Sequence, residues 1–142
     1  MAIRKLCIDD YDALIELWND AQLPYKPKGR DRRTNIDREL KNPTAIFLVA
    51  EKDDKLIGSI FGTHDGRKGW INRLAVAPAY RKQGLATKLL KEVENRIFDM
   101  GIGIIACLVE EWNAWSIQFF EKEGYKRHQD IIYFTKRVNP DI

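Results

Sequence analysis

Cysteine is scarce in this 142-residue chain: Cys7 and Cys107 lie far apart, each in an apolar, strand-like stretch. Their spacing fits neither a disulfide framework nor a metal-ligand pair, so two buried free thiols in a reducing compartment are expected. No apolar run approaches the roughly 20 residues of a membrane-spanning helix. Met1 to Lys5 leads straight into patterned sequence without a secretory signal, and the expectation is a cytoplasmic protein with no membrane partner. An excess of one charge is lacking too: 24 Lys and Arg against 21 Asp and Glu leave a net +3, too even to point to nucleic acid as a partner. Neither G-x-x-x-x-G-K-S/T nor G-x-G-x-x-G occurs, which removes the P-loop and the dinucleotide fingerprint. Repeats, linkers and low-complexity segments are missing, so residues 1–142 read as one domain with room for its own core.

What is present is an alternation of strand-like and helix-like patterns. Ile3–Cys7 reads as a short strand, and Tyr11, Leu14, Ile15 and Trp18 recur at helical spacing behind a cap at Asp9 or Asp10. That helix should fray near Ala21, before Leu23-Pro24. Thr34-x-x-Asp37 has the form of a capping box for a second short helix, which Asn42-Pro43 ends. Ala45–Ala50, Leu56–Thr63 and Trp70–Val76 read as an antiparallel meander, turned at Asp53-Asp54 and at Asp65–Gly69. From Leu85 a stripe of Ala86, Leu89, Leu90, Val93 and Ile97 marks a long helix that Gly101 stops. Ile104–Val109 is short and β-branched; joined through that helix, it must run parallel to Trp70–Val76. Asn113–Glu123 is helical up to Gly124, and Tyr125–His128 with Ile131–Lys136 read as a final hairpin. The fold class is therefore α+β: a mixed, mostly antiparallel sheet of about seven strands with a central parallel pair, flanked by four helices.

One stretch carries chemistry. Between the strand ending at Val76 and the helix opening at Leu85 runs a basic loop, Arg81-Lys82-Gln83-Gly84. Unpaired amides of a first helical turn, aimed at one point and aided by the helix dipole, make a cradle for phosphate. Gly84 lets backbone approach a ligand, Ala86 keeps the next position small, and Arg81, Lys82 and Lys88 add charge. A plain strand-to-helix turn with solvated basic residues would use the same residue types.

Arg81-x-x-Gly84-x-Ala86, preceded by Leu74-Ala75-Val76-x-Pro78-x-Tyr80, resembles the pyrophosphate loop of the GNAT N-acetyltransferases and its approach strand. Asn113-x-x-Ser116-x-x-Phe119-Phe120-x-Lys122-x-Gly124-Tyr125 is similar to a second pattern of that family, on the helix after the parallel strand. The element order matches along nearly the whole chain, and the small single-domain bacterial and archaeal members are the nearest in kind. The resemblance implies acetyl-CoA as cosubstrate and no metal. It implies that Leu74, Ala75 and Val76 hold the pantetheine arm through main-chain groups, one N–H polarising the thioester carbonyl as an oxyanion hole does. It implies that the amides of Lys82, Gln83, Gly84, Leu85, Ala86 and Thr87, with Arg81 beside them, hold the pyrophosphate. Asn113 and Phe120 would line the arm's other side, although Asn113 also suits a helix cap.

Two departures from the family pattern bear on catalysis. Asn72 stands where many members carry a Glu; it cannot be a base, but it can orient a water or the acceptor. Glu110, ahead of Glu111, is then the nearest carboxylate by topology, or else a solvated acid at a strand end. Phe120 stands where the family pattern has a Tyr that protonates the leaving thiolate, and Ser116, one turn earlier, offers either a hydroxyl or a small spacer. The acceptor side falls to the loop carrying Tyr25, Lys26, Lys28, Arg30, Arg32 and Arg33, with Trp70 as an aromatic wall. The implied partner is a small primary amine that also bears a carboxylate or phosphate, or a peptide; a homodimer is compatible with this pattern. An acyl-CoA-binding module with little or no turnover is the alternative that Asn72 and Phe120 keep open.

Overall fold

A computed structural model describes residues 1–142. Its elements run β1 (Ala2–Lys5), a 3-10 turn (Ile8–Asp10), α1 (Tyr11–Asp20), α2 (Arg33–Leu40), β2 (Ala45–Lys52), β3 (Lys55–His64) and β4 (Gly69–Val76). A second 3-10 turn (Pro78–Tyr80) leads to α3 (Leu85–Asp99), β5 (Ile105–Cys107) and α4 (Ala114–Lys122). The sheet order is β1-β2-β3-β4-β5, antiparallel except for the parallel step from β4 to β5.

The sheet is covered on both faces, and alternation along β3 sorts its residues between them. Gly58 and Gly62 of β3, with Gly69 of β4, face α3, where an added Cβ would lie 2.9 Å from Leu89, 2.6 Å from Val93 and 2.9 Å from Ile97. Three glycines thus let α3 lie close along the sheet, its Leu89, Val93 and Ile97 fully buried. Ser59 and Phe61 face α1 instead. There Trp18 packs edge-on against Phe61, which stacks on Phe47 with ring centroids 3.8 Å apart.

Several local expectations are corrected. The sheet has five strands rather than about seven, because residues 125–142 form no strand. β5 ends at Cys107 instead of reaching Val109, which leaves an edge of only three residues for a hairpin to pair with. Ile131, Ile132, Tyr133, Phe134 and Val138 therefore stay exposed, Phe134 at 84% and Val138 at 89%. Thr34 is not a cap: α2 starts at Arg33 behind Arg32 in extended conformation, with no side-chain cap bond. Cys7 is exposed and Cys107 half-buried, so the thiols are free but not both buried. Asp10 stands at the N-cap position of α1 but makes no side-chain cap bond to it; its carboxylate accepts instead from the Cys7 amide at 2.9 Å and twice from Arg4. No helix is long and apolar enough to cross a membrane.

Candidate active site

β4 and β5 pair only from Gly69, Trp70 and Ile71 to Ile105, Ala106 and Cys107. Beyond Ile71, β4 continues to Val76 paired to β3 but no longer to β5, so the β5-side edge of Asn72–Val76 lines an open wedge. Within that wedge β4 carries a bulge. Phe61 pairs with Asn72 and Ser59 with Ala75, which leaves Arg73 and Leu74 together opposite Ile60. Arg73 sits at φ +53°, in the left-handed region. For a long side chain that costs about 1–2 kcal/mol, and a bulge turns peptide groups out of the ladder. Asn72 is exposed, Leu74 half-buried, and Ala75 and Val76 buried.

The wedge leads into the loop Arg81–Gly84, all four residues exposed, and then into the first turn of α3. Gly84 precedes the helix at φ +79°, and an added Cβ would meet no protein atom within 4 Å. Space is therefore open directly before a helix N-terminus, as a bound anion requires. Leu85 and Ala86 are buried and root the turn in the core. Thr87 donates its hydroxyl to Glu123 at 2.7 Å and ties the cradle to the end of α4. The Arg81 guanidinium folds back toward the carbonyls of Val76 and Ala21, at 3.3 and 3.4 Å.

At the start of α4, Asn113 Oδ1 accepts from the Ser116 amide at 3.1 Å, so Asn113 is the cap of that helix. The cap uses the carbonyl oxygen and makes no use of the side-chain NH2. Phe120 is buried, edge-on to Phe119 and Tyr125. Ser116 is half-buried, and Glu110 is exposed in the connection between β5 and α4, its carbonyl accepting from the Asn113 amide. The site residues read from the sequence thus fall on β4, on the loop and first turn of α3, on α4 with its cap, and, for Glu110, in the connection before α4. Nearby, burial pushes the Cys107 thiol up to about 11. Burial, then the hydrogen bond to Glu94, pushes the Tyr125 hydroxyl far above the usual phenol range.

The loop that follows α1, expected on the acceptor side, has a buried ion pair at its centre. Arg73 Nη2 donates to Asp31 Oδ2 at 2.6 Å, with side chains 16% and 5% exposed. Asp31 also accepts from the Lys26 amide at 2.7 Å, and Arg73 Nη1 donates to the Pro24 carbonyl at 3.0 Å. The Arg73 guanidinium lies over Trp18, 5.6 Å from the ring centroid. Glu39 on α2, one turn beyond buried Ile36, has its carboxyl pushed up, first by burial and then by the charge of Asp31. Gly29 is buried under the Asp141 backbone, leaving no room there for a Cβ. Sequence reasoning missed Arg73, Asp31 and Glu39. The signal was a lone acid inside a basic run and a lone cation inside an apolar strand, each in need of a buried partner.

Comparison with known proteins agrees with this geometry. The acetyltransferase (GNAT) family model matches residues 11–125. An acetyltransferase of Photorhabdus laumondii is 35% identical over 142 residues, covering 99% of this chain and 98% of that one. Among solved structures, the PaiA N-acetyltransferase of Thermoplasma acidophilum in complex with coenzyme A has a TM-score of 0.79 at 26% identity, covering 88% of this chain and 89% of that one. An aminoglycoside 6'-N-acetyltransferase of Acinetobacter haemolyticus shares the fold, with a TM-score of 0.80 at 20% identity over 98% of this chain and 100% of that one. The chain belongs to the GNAT acetyltransferase family, and it is an acetyltransferase that takes its acyl group from acetyl-CoA.

Proposed function

We propose that this protein, one catalytic unit over residues 1–142, moves the acetyl group of acetyl-CoA to a primary amine by direct attack on the thioester. The observation that carries the reading is β4 itself, which parts from β5 at Ile71, runs on to Val76 paired only to β3, and delivers the chain to an open helix N-terminus at Gly84. The pantetheine arm lies in the wedge on main-chain groups of Leu74, Ala75 and Val76. The pyrophosphate lies on the amides from Lys82 to Thr87, and Asn113 and Phe120 close the other wall. A main-chain N–H at the bulge polarises the carbonyl.

The amine, with a pKa of about 10.4, must shed a proton before it attacks. Asn72 orients the acceptor or a water, and Glu110 is the nearest carboxylate able to receive the proton. The N–C bond forms, the C–S bond breaks, and the sulfur departs as a thiolate whose parent thiol has a pKa of about 8.5. Phe120 has no proton to give, so the thiolate leaves unaided or with the Ser116 hydroxyl. Exposed Lys28, Arg30 and Arg32 favour an acceptor that bears a carboxylate or phosphate beside its amine, or a peptide with acidic residues. The exposed apolar side chains between Ile131 and Val138 favour a homodimer, and the cosubstrate favours the cytoplasm.

Phe120 also motivates a second reading, an acyl-CoA-binding module with little turnover. Thiol release from acetyl-CoA across a panel of amines separates the two, since only an enzyme consumes the thioester. Binding itself is checked by melting. A ligand at 100 times its Kd stabilises the folded state by about 2.7 kcal/mol, so an unmoved melting temperature in saturating acetyl-CoA would overturn both readings.

A further inference from the structure

The β4 bulge is held from two directions, and its two holds meet in one residue. From the sheet side, fully buried Trp18 donates its indole N–H to Ser59 Oγ at 3.1 Å, and Ser59 Oγ donates to the Arg73 carbonyl at 3.1 Å. From the loop side, the Arg73 guanidinium is fixed by both oxygens of Asp31 and by the Pro24 carbonyl. Asp31 is in turn built into the loop through the Lys26 amide, and its own carbonyl accepts from the Tyr11 hydroxyl at 2.8 Å. Nothing about a bulge needs a buried arginine; an alternating strand would keep its register with an apolar residue here. What the arginine adds is a rigid connection, because a planar guanidinium gripped by a buried carboxylate fixes both ends geometrically.

We propose that Asp31, Arg73 and Ser59 are positioning residues: they lock the β4 bulge to the acceptor-side loop, so that the donor polarising the thioester and the wall receiving the amine keep one fixed relation. This rests on the acetyl-transfer reading above. It implies that a change at either end, in the loop at Asp31 or in the sheet at Ser59, reaches the same peptide groups beside Leu74. Neither side chain need touch the cosubstrate.

The test uses acetyl-CoA labelled with ¹³C at its thioester carbonyl, bound to the full chain, with the carbonyl stretch read by isotope-edited infrared difference spectroscopy. In the wild type the stretch lies below that of free acetyl-CoA, because an N–H donates to the oxygen. Asp31→Asn and Ser59→Ala should each move it back toward the free value while acetyl-CoA still raises the melting temperature. Where either variant folds poorly, the pair Asp31→Asn with Arg73→Gln removes both buried charges together, and because the shorter glutamine amide cannot grip both Asp31 oxygens and the Pro24 carbonyl, the same displacement is expected. Turnover with phosphoethanolamine should fall in parallel, by between about tenfold and about 10²-fold, the loss a misplacement near 1 Å brings. Unchanged stretches in folded, acetyl-CoA-binding variants would overturn the positioning role and leave the acetyl-transfer reading intact. Failure of acetyl-CoA to stabilise the wild type would instead overturn the reading beneath it.

Discussion

Two loops flank β4, and they are held in opposite ways. The loop after α1 is fastened by a buried carboxylate that takes two guanidinium nitrogens and a backbone amide, and Gly29 lies beneath the Asp141 backbone. The loop before α3 has four exposed residues, long contacts from Arg81 and open space at Gly84. The first is finished by the protein's own side chains. The second presents exposed main-chain donors that no protein side chain caps, open to water or to a bound anion. On the proposed roles, a wall that keeps its shape and a cradle that waits for a ligand call for different chemistry, side-chain ion pairing in one and bare backbone in the other.

The contrast can be broken most severely at the fastened loop. Asp31→Ala leaves the Arg73 guanidinium buried without its partner, and urea unfolding should report a loss of about 3–5 kcal/mol. A loss under 1 kcal/mol would mean that Arg73 finds water and the loop is not fastened there. Gly84→Val acts at the other loop. The new side chain meets no protein atom, so stability should fall only by the left-handed strain of about 1–2 kcal/mol, whereas the melting shift from acetyl-CoA should vanish. A retained shift would put the phosphates elsewhere.

A smaller effect concerns Glu39. Its carboxyl is pushed up by burial in the folded state, so stability is fully present below the ordinary carboxylate range and declines as pH rises through the raised value. Glu39→Gln should flatten that decline in denaturation curves taken across the acidic range; a steeper decline would reverse the assignment. Smallest of all, Arg81→Ala should leave stability within about 0.5 kcal/mol of the wild type and weaken acetyl-CoA only modestly, because amides rather than this charge make the cradle.

The open loop was the legible one. Arg81, Gly84 and Ala86 are written in consecutive sequence, and so is the helix stripe from Leu85 to Ile97 that roots them. Asn113 and Gly124 mark the ends of α4 by local chemistry alone. The fastened loop was legible only as a run of basic residues, because Asp31 and Arg73 meet across the fold and the bulge that turns Arg73 inward has no sequence mark. The final hairpin fails for a related reason. Ile131 to Phe134 has strand composition, but a strand needs an edge, and β5 supplies only Ile105 to Cys107. Thr34 fits the capping pattern yet lies one residue inside α2, since Arg32, not Thr34, holds the extended conformation before the helix.

The central claim, that the cosubstrate completes the open loop and leaves the fastened one alone, is tested by titrating CoA into the ¹⁵N-labelled protein and following backbone amide resonances. The largest changes should fall on Lys82 to Thr87 and on Leu74 to Val76, with Lys26 to Arg32 almost still. Large changes across Lys26 to Arg32, with the amides of Gly84 and Ala86 unmoved, would contradict it.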